Sequence, residues 1–383
     1  MSDRTSSRIL TAIQRFERTR KLSPERRDIF YKYLAYGGID VGPNMFQGGI
    51  DPDSLDKDQL AAAMARTSIA ADKRDLDGVT QLYEVDFEGC VKSFLSRRAM
   101  VLFGLETRPQ VEEITTTIER FMDYLLQHDV CPECRADVLK TRNFCREALP
   151  ELWGCAEASR WLPGDFNIAC STLFGGNYGR DYDGETDWGP ERPGEYVFVG
   201  MKPEQAMEVV HYAVAGAASE EVYKSYLEIT KGHVEFKILS VNESAGFEIT
   251  KIEYPSPECL DIYRESRQTL RPVGRVHAKP WTNPDAQPQD LTPQERDTLV
   301  TAKGSRQAAK EEYIFFIESV VQKHLRVGMK LEATIHKLNC GIWFFDEFLR
   351  IYPSFDIWLC NELMIGWKEP RPTKGAPDDV EEG

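Results

Sequence analysis

Between positions 175 and 194 the chain carries six glycines (175, 176, 179, 184, 189 and 194), two prolines, and acids at Asp181, Asp183, Glu185, Asp187 and Glu191. Glycine leaves the backbone unrestrained and proline removes a donor, so this density predicts a mobile surface loop. The loop divides the chain into two parts with different periodicities.

Before the break, apolar residues recur at helical spacing. Ile9, Leu10, Ile13 and Phe16 share one face of a first helix. Ser23-Pro24 starts a second, with Ile29, Phe30, Tyr33 and Leu34 on one side and Gly37-Gly38 as its stop. A polar stretch over 38–58 follows, then helical patterns over 58–71, 86–103, 108–127 and 135–148. The short, proline-containing connection 128–132 predicts that the last two form an antiparallel pair. After the break, 196–199 reads as a strand and 202–218 as a helix, while 234–241 and 247–254 read as a hairpin around 242–246. Five prolines in 271–293 mark an extended tether whose last proline, Pro293, starts the next helix. A helix over 305–324 and strands over 329–335 and 342–345 complete the pattern, and the tail from 370 is disordered and acidic in character. The expected fold class is α+β: a helical N-terminal half followed by a mixed region with a mainly antiparallel sheet. Its regions are 1–174, helical; 175–194, the loop; 195–270, α+β; 271–293, the tether; 294–369, an α+β region packing on the rest; and 370–383, the tail.

Charge limits the partners. The 383 residues carry a net charge of −15, unfavourable for a protein whose main partner is naked nucleic acid. The balance is uneven. Residues 1–35 hold nine Lys/Arg against four acids, a surplus of +5, and the remainder carries −20. Such a basic opening suits contact with RNA held by a partner; its plainer reading is a solvated helix face. No apolar run approaches the ~20 residues of a membrane span. Nine cysteines, an odd and scattered number, suit reduced thiols in the cytosol or nucleus, and no membrane partner is expected.

Catalytic and metal-binding patterns are weak. Cys131-Pro132-Glu133-Cys134 resembles half a zinc site, with His128 upstream, but the second pair would be Cys145 and Cys155, ten apart within helical patterns. A helix-start turn with free thiols is the favoured reading. An EF-hand opening at Asp181 would need glycine where Thr186 stands and glutamate where Arg192 stands. Cys170-Ser171 has no histidine at a recognised spacing; His211, His233, His277 and His336 are the possible bases. No cofactor is expected. The C-terminal quarter crowds Trp343, Phe344, Phe345, Phe348, Tyr352, Phe355, Trp358 and Trp367 together. Most belong in a core, and those left outside suit a protein interface. Trp358 and Trp367 are the leading protein-binding residues, because Pro353 interrupts the stretch before the first and the tail borders the second. The acids Asp181, Asp183 and Asp187 are the next candidates.

Four stretches carry a resemblance in order: YLAYGGIDVGP at 33–43, LLQHDVCPE at 125–133, LPGDFNIACSTLFGG at 162–176, and GIWFFDEFL with NELMIGW at 341–349 and 361–367. Together they resemble the Argonaute-binding subunit of the fungal Argonaute siRNA chaperone complex. The resemblance implies a non-catalytic regulator, not an enzyme, whose partners are Argonaute and another subunit of that complex. It implies that the protein holds siRNA-loaded Argonaute and restrains slicing in nucleus and cytoplasm. That activity would support RNA-directed heterochromatin formation and H3 lysine 9 methylation, with RNA met only indirectly or weakly. The alternative is a metal-dependent enzyme using the Cys131/Cys134 region or the acidic loop.

Overall fold

A computed structural model of the chain describes residues 3–39, 41, 86–179, 201–232, 234–266, 269–286, 292, 294–295 and 312–359. The N-terminal half is helical. Helix α1 (Asp3–Arg20) buries Ile9, Leu10, Ile13 and Phe16. Helix α2 (Pro24–Tyr36) opens on Ser23, whose hydroxyl accepts the Arg26 N–H at 3.3 Å. Helix α3 (Phe87–Ser93) runs into a π-helical turn, Phe94–Ala99, and a last short turn, Met100–Phe103. Helix α4 (Arg108–Gln127) starts with a Thr107–Gln110 capping box. Helix α5 (Arg135–Trp161) follows a 3-10 turn, Pro132–Cys134, and packs along α4. The rings of Phe16, Phe30 and Phe121 form a cluster with centroids 5.0–5.3 Å apart. Such aromatic pairs add about 0.5–1.5 kcal/mol each beyond their burial.

Helices α6 (Asp165–Phe174), α7 (Pro203–Ala217) and α8 (Glu220–Thr230) lead to a closed barrel. Strand β1 (Ile238–Glu253) is followed by helix α9 (Pro257–Ser266), β2 (Val273–Trp281), β3 (Tyr313–Glu318), a short helix Ser319–Gln322, β4 (Lys330–Leu338) and β5 (Trp343–Tyr352). Around the barrel the order is β1-β2-β3-β5-β4, and β4 returns to β1. Every pairing is antiparallel except β3 with β5, which meet in parallel at Phe315 and Trp343. Phe247, Phe315 and Phe345 fill the interior with centroids 4.7–5.5 Å apart. The class is therefore α+β, as expected, with the antiparallel sheet curled into a barrel.

Four local expectations are corrected. The expected hairpin around 242–246 is one continuous strand, β1, paired with β2 on one edge and β4 on the other. Its loop-forming residues make a register shift between Asn242 and Ala245, with Ser244 at φ +49°. Within the expected helix 305–324, Tyr313–Glu318 is a strand: a short apolar run fits either state, and pairing with β2 decides. The proline-rich 271–293 contains β2, because Val276 and Ala278 join the barrel core, Val273 is buried against the helices on the other face, and Pro280 falls near its end. Helix α5 also continues past Ala148 through Pro150 to Trp161. The expected elements at 58–71 and 196–199, and the tail from 370, lie outside the described residues.

Candidate functional site

The segment 162–176 is seated against the barrel by its polar residues. Gly164 takes φ +92°, and a Cβ there would lie 2.2 Å from Glu318 Oε2. This close approach lets the Phe166 N–H at the start of α6 donate to Glu318 Oε1 at 2.7 Å. Asn167 Nδ2 donates to the Pro163 carbonyl at 2.7 Å, and its Oδ1 accepts the Phe345 N–H at 3.1 Å. One turn on, Ser171 Oγ donates to Asp346 Oδ2 at 2.6 Å while accepting the Tyr178 N–H at 3.0 Å. Asp346 Oδ2 also accepts the Asn177 N–H at 2.8 Å, and His336 Nε2 lies 2.9 Å from Oδ1. Gly176 is required where these meet, since a Cβ would fall 2.3 Å from both Ser171 Oγ and Asp346 Oδ2.

Serine, aspartate and histidine thus come together, but in the wrong order for nucleophilic catalysis. The serine proton points at the carboxylate, and the histidine lies on the carboxylate's far side. Burial pushes the Asp346 carboxyl up, but hydrogen bonds from His336, Ser171 and the Asn177 N–H outweigh it and hold it below the usual range. A carboxylate so satisfied is a poor base. Burial above all pushes the Cys170 thiol well up, and Cys340 and Glu318 add to it, which suppresses the thiolate. Glu318 is the contrasting carboxyl. It is 1% exposed with no partner for Oε2, and burial, opposed by the Phe166 N–H, pushes it up to about 7.

The Cys131 region forms the turn into α5. Burial pushes the Cys131 thiol up to about 12, and Cys145 lies wholly inside the helical core while Cys155 lies in the barrel core. Among the described residues no three His, Cys, Asp or Glu side chains gather as metal ligands. The acids Asp181, Asp183, Glu185 and Asp187, and Trp367, lie outside the described residues.

Of the C-terminal aromatics, Trp343, Phe344, Phe345 and Tyr352 are buried. Beyond β5 the chain crosses back to the helical half. Asp356 makes a buried ion pair with Arg97 of the π-helical turn at 2.7 Å, and Phe355 meets Phe144 edge-on at 4.9 Å. Trp358 follows, partly exposed, its Nε1 donating to Asp285 Oδ1 at 3.3 Å. Trp358 thus lies two residues beyond the Arg97–Asp356 pair with part of its surface open to solvent.

A groove of about 650 Å³ that no sequence pattern signals lies between α1 and the end of α4. Arg8, Arg15 and Arg20 line one wall; Tyr124, His128 and Asp129 line the other. Both components were visible separately, the basic opening and the HDVCPE stretch, but no periodicity signals that they face each other.

The family described as the Argonaute siRNA chaperone (ARC) complex subunit Arb1 matches residues 2–370. The chain belongs to this family. Among curated relatives, Argonaute-binding protein 1 of Schizosaccharomyces pombe is 28% identical over 167 residues, covering 43% of this chain and 41% of the relative. The chain thus aligns with about two fifths of that relative's length. No solved structure matches. The Arb1 match runs across both the helical half and the barrel, so it takes in the seated segment, the groove and Trp358 together.

Proposed function

We propose that this Arb1-family chain is a non-catalytic Argonaute-binding subunit. In this reading it acts with another subunit of the siRNA chaperone complex, in nucleus and cytoplasm. It holds siRNA-loaded Argonaute and restrains slicing, in support of heterochromatin formation and H3 lysine 9 methylation. The observation that carries the reading is the family match over residues 2–370. The chemistry of the interior supports it: the Ser171–Asp346–His336 set is spent on seating α6, and the Cys170 thiol is suppressed by burial. Binding then falls to Trp358 as the leading anchor, and Trp367 and the acids Asp181, Asp183 and Asp187 are the further contacts proposed.

The test is co-purification of the chain with an Argonaute carrying double-stranded siRNA, followed by a slicer assay. A stable complex with slower cleavage is expected, and the chain alone should leave single- and double-stranded RNA intact with divalent metal present. Failure to bind Argonaute, or RNA cleavage abolished by a point change in the chain, would overturn the reading.

A further inference from the structure

We propose that the groove between α1 and the end of α4 holds the backbone of a single RNA strand. The proposal rests on the reading of the chain as a partner of siRNA-loaded Argonaute, and it adds a direct contact to the RNA. Arg8 and Arg15 lie seven residues apart on one helix face, whereas Arg20 lies about 140° round the helix from Arg15 and lines the groove at its Gln127 end. At 1.5 Å per residue, the three span roughly 18 Å. Guanidinium groups suit phosphates, which they grip bidentately, and Arg15 and Arg20 are the two whose charge no carboxylate takes among the described residues.

The groove's acids are already engaged. Asp129 Oδ1 lies 3.3 Å from Arg135, and Glu133 pairs with Arg8. Among the described residues Arg15 has no carboxylate partner, and Arg20 reaches only Gln127, at 3.5 Å. Their charge is available to an incoming anion. The rest of the chain, net −20 beyond residue 35, repels that anion elsewhere and confines it here.

The other wall selects nucleic acid over an acidic peptide. His128 is exposed, and its ring packs at a 46° tilt against that of the buried Tyr124, with centroids 4.3 Å apart, so one braced planar ring lines the groove. A base stacks on such a surface, whereas a glutamate side chain has no use for it. The volume, about 650 Å³, is that of a small-ligand cleft and admits one strand rather than a duplex.

Fluorescence anisotropy with a labelled 12-nucleotide single-stranded RNA tests this on the full chain. Two phosphate contacts, from Arg15 and Arg20, predict a log–log salt slope near −1.4, which is about a sevenfold loss of affinity between 50 and 200 mM salt. The double variant Arg15→Glu/Arg20→Glu should lose tenfold or more at 50 mM salt with its melting temperature kept, because both side chains are exposed. His128→Ala should weaken binding several-fold without changing the salt slope, as stacking requires. Arg18→Glu, on the same helix but outside the groove, should lose clearly less than the double variant. RNA binding by the double variant at the level of the unaltered chain would overturn the proposal, as would a 12-residue glutamate peptide binding as tightly as the RNA. Argonaute co-purification separates the two readings. If Argonaute binds while the double variant leaves RNA affinity intact, the groove proposal alone fails; if Argonaute does not bind, the functional reading fails whatever the RNA does.

Discussion

Replacing Asp346 with alanine removes the acceptor on which three groups converge, two of them buried. Ser171 Oγ at 2.6 Å, the Asn177 N–H at 2.8 Å and His336 Nε2 at 2.9 Å all lose their partner. Ser171 and Asp346 are 0% exposed and His336 only 5%, so water does not readily take the carboxylate's place. Hydrogen bonds to a charged group contribute about 1.5–3 kcal/mol each. Three of them through one carboxylate are coupled rather than additive. Asp346→Ala should therefore cost about 3–5 kcal/mol, the usual cost of breaking a buried charged network. Asp346→Asn should cost about half as much or less. Its amide oxygen can accept from Ser171 and Asn177 while its NH₂ donates to the other tautomer of His336. Urea unfolding followed by fluorescence reads both values, with the slope of the transition held constant between variants. An Asp346→Ala midpoint within about 1 kcal/mol of the unaltered chain would refute the view that this network holds α6 in place.

Glu318 predicts the opposite pH behaviour from Asp346. Its carboxyl is raised from 4.5 to about 7, so the folded chain keeps a proton that the unfolded chain releases. The resulting stabilisation is fully present below pH ~4.5, is lost as pH rises through ~7, and amounts to about 3 kcal/mol. Glu318→Gln should therefore gain about 3 kcal/mol relative to the unaltered chain between pH 5 and pH 8 in denaturation curves; parallel pH profiles would count against it. Gly164→Ala should cost about 2–3 kcal/mol by thermal unfolding, since a Cβ at φ +92° would press on Glu318. Trp358→Ala should keep stability within about 1 kcal/mol, because it loses one long hydrogen bond, yet lower Argonaute affinity roughly thirtyfold in a binding titration. Normal affinity in the folded variant would move the anchor elsewhere.

Helices were legible wherever a cap and an apolar stripe coincided. Ser23-Pro24 and the 108–127 pattern match α2 and α4 closely, because capping and amphipathic burial are local. The strands were legible only in part. β4 and β5 alternate enough to show, but Tyr313–Glu318 is apolar almost throughout, and its state depends on pairing with β2, some forty residues away. The residues of 242–246 predict a chain reversal and instead form a bulge, because a bulge and a hairpin draw on the same residues. The resemblance located the segment 162–176, but its purpose was hidden. Nothing near Asn167 or Ser171 in sequence indicates that Phe345 and Asp346 receive them. The groove was hidden for the same reason, since its two walls lie more than a hundred residues apart.

Helix α5 belongs to both hydrophobic cores. Val138, Cys145, Ala148 and Leu152 face the helical core, whereas Cys155 and Ala158 face the barrel interior. At the crossover Gly154 lets the His324 carbonyl come so near that a Cβ would be only 2.8 Å from its oxygen. The helix acts as a shared axle. A force applied at the groove or at Trp358 reaches the barrel through one continuous rod rather than across a hinge. Cutting the chain after α6 would strip the barrel from that rod and leave Cys155, Ala158 and Leu162 facing water, so the halves are poor candidates for separate expression. A partner gripping either end would then have to move the whole body.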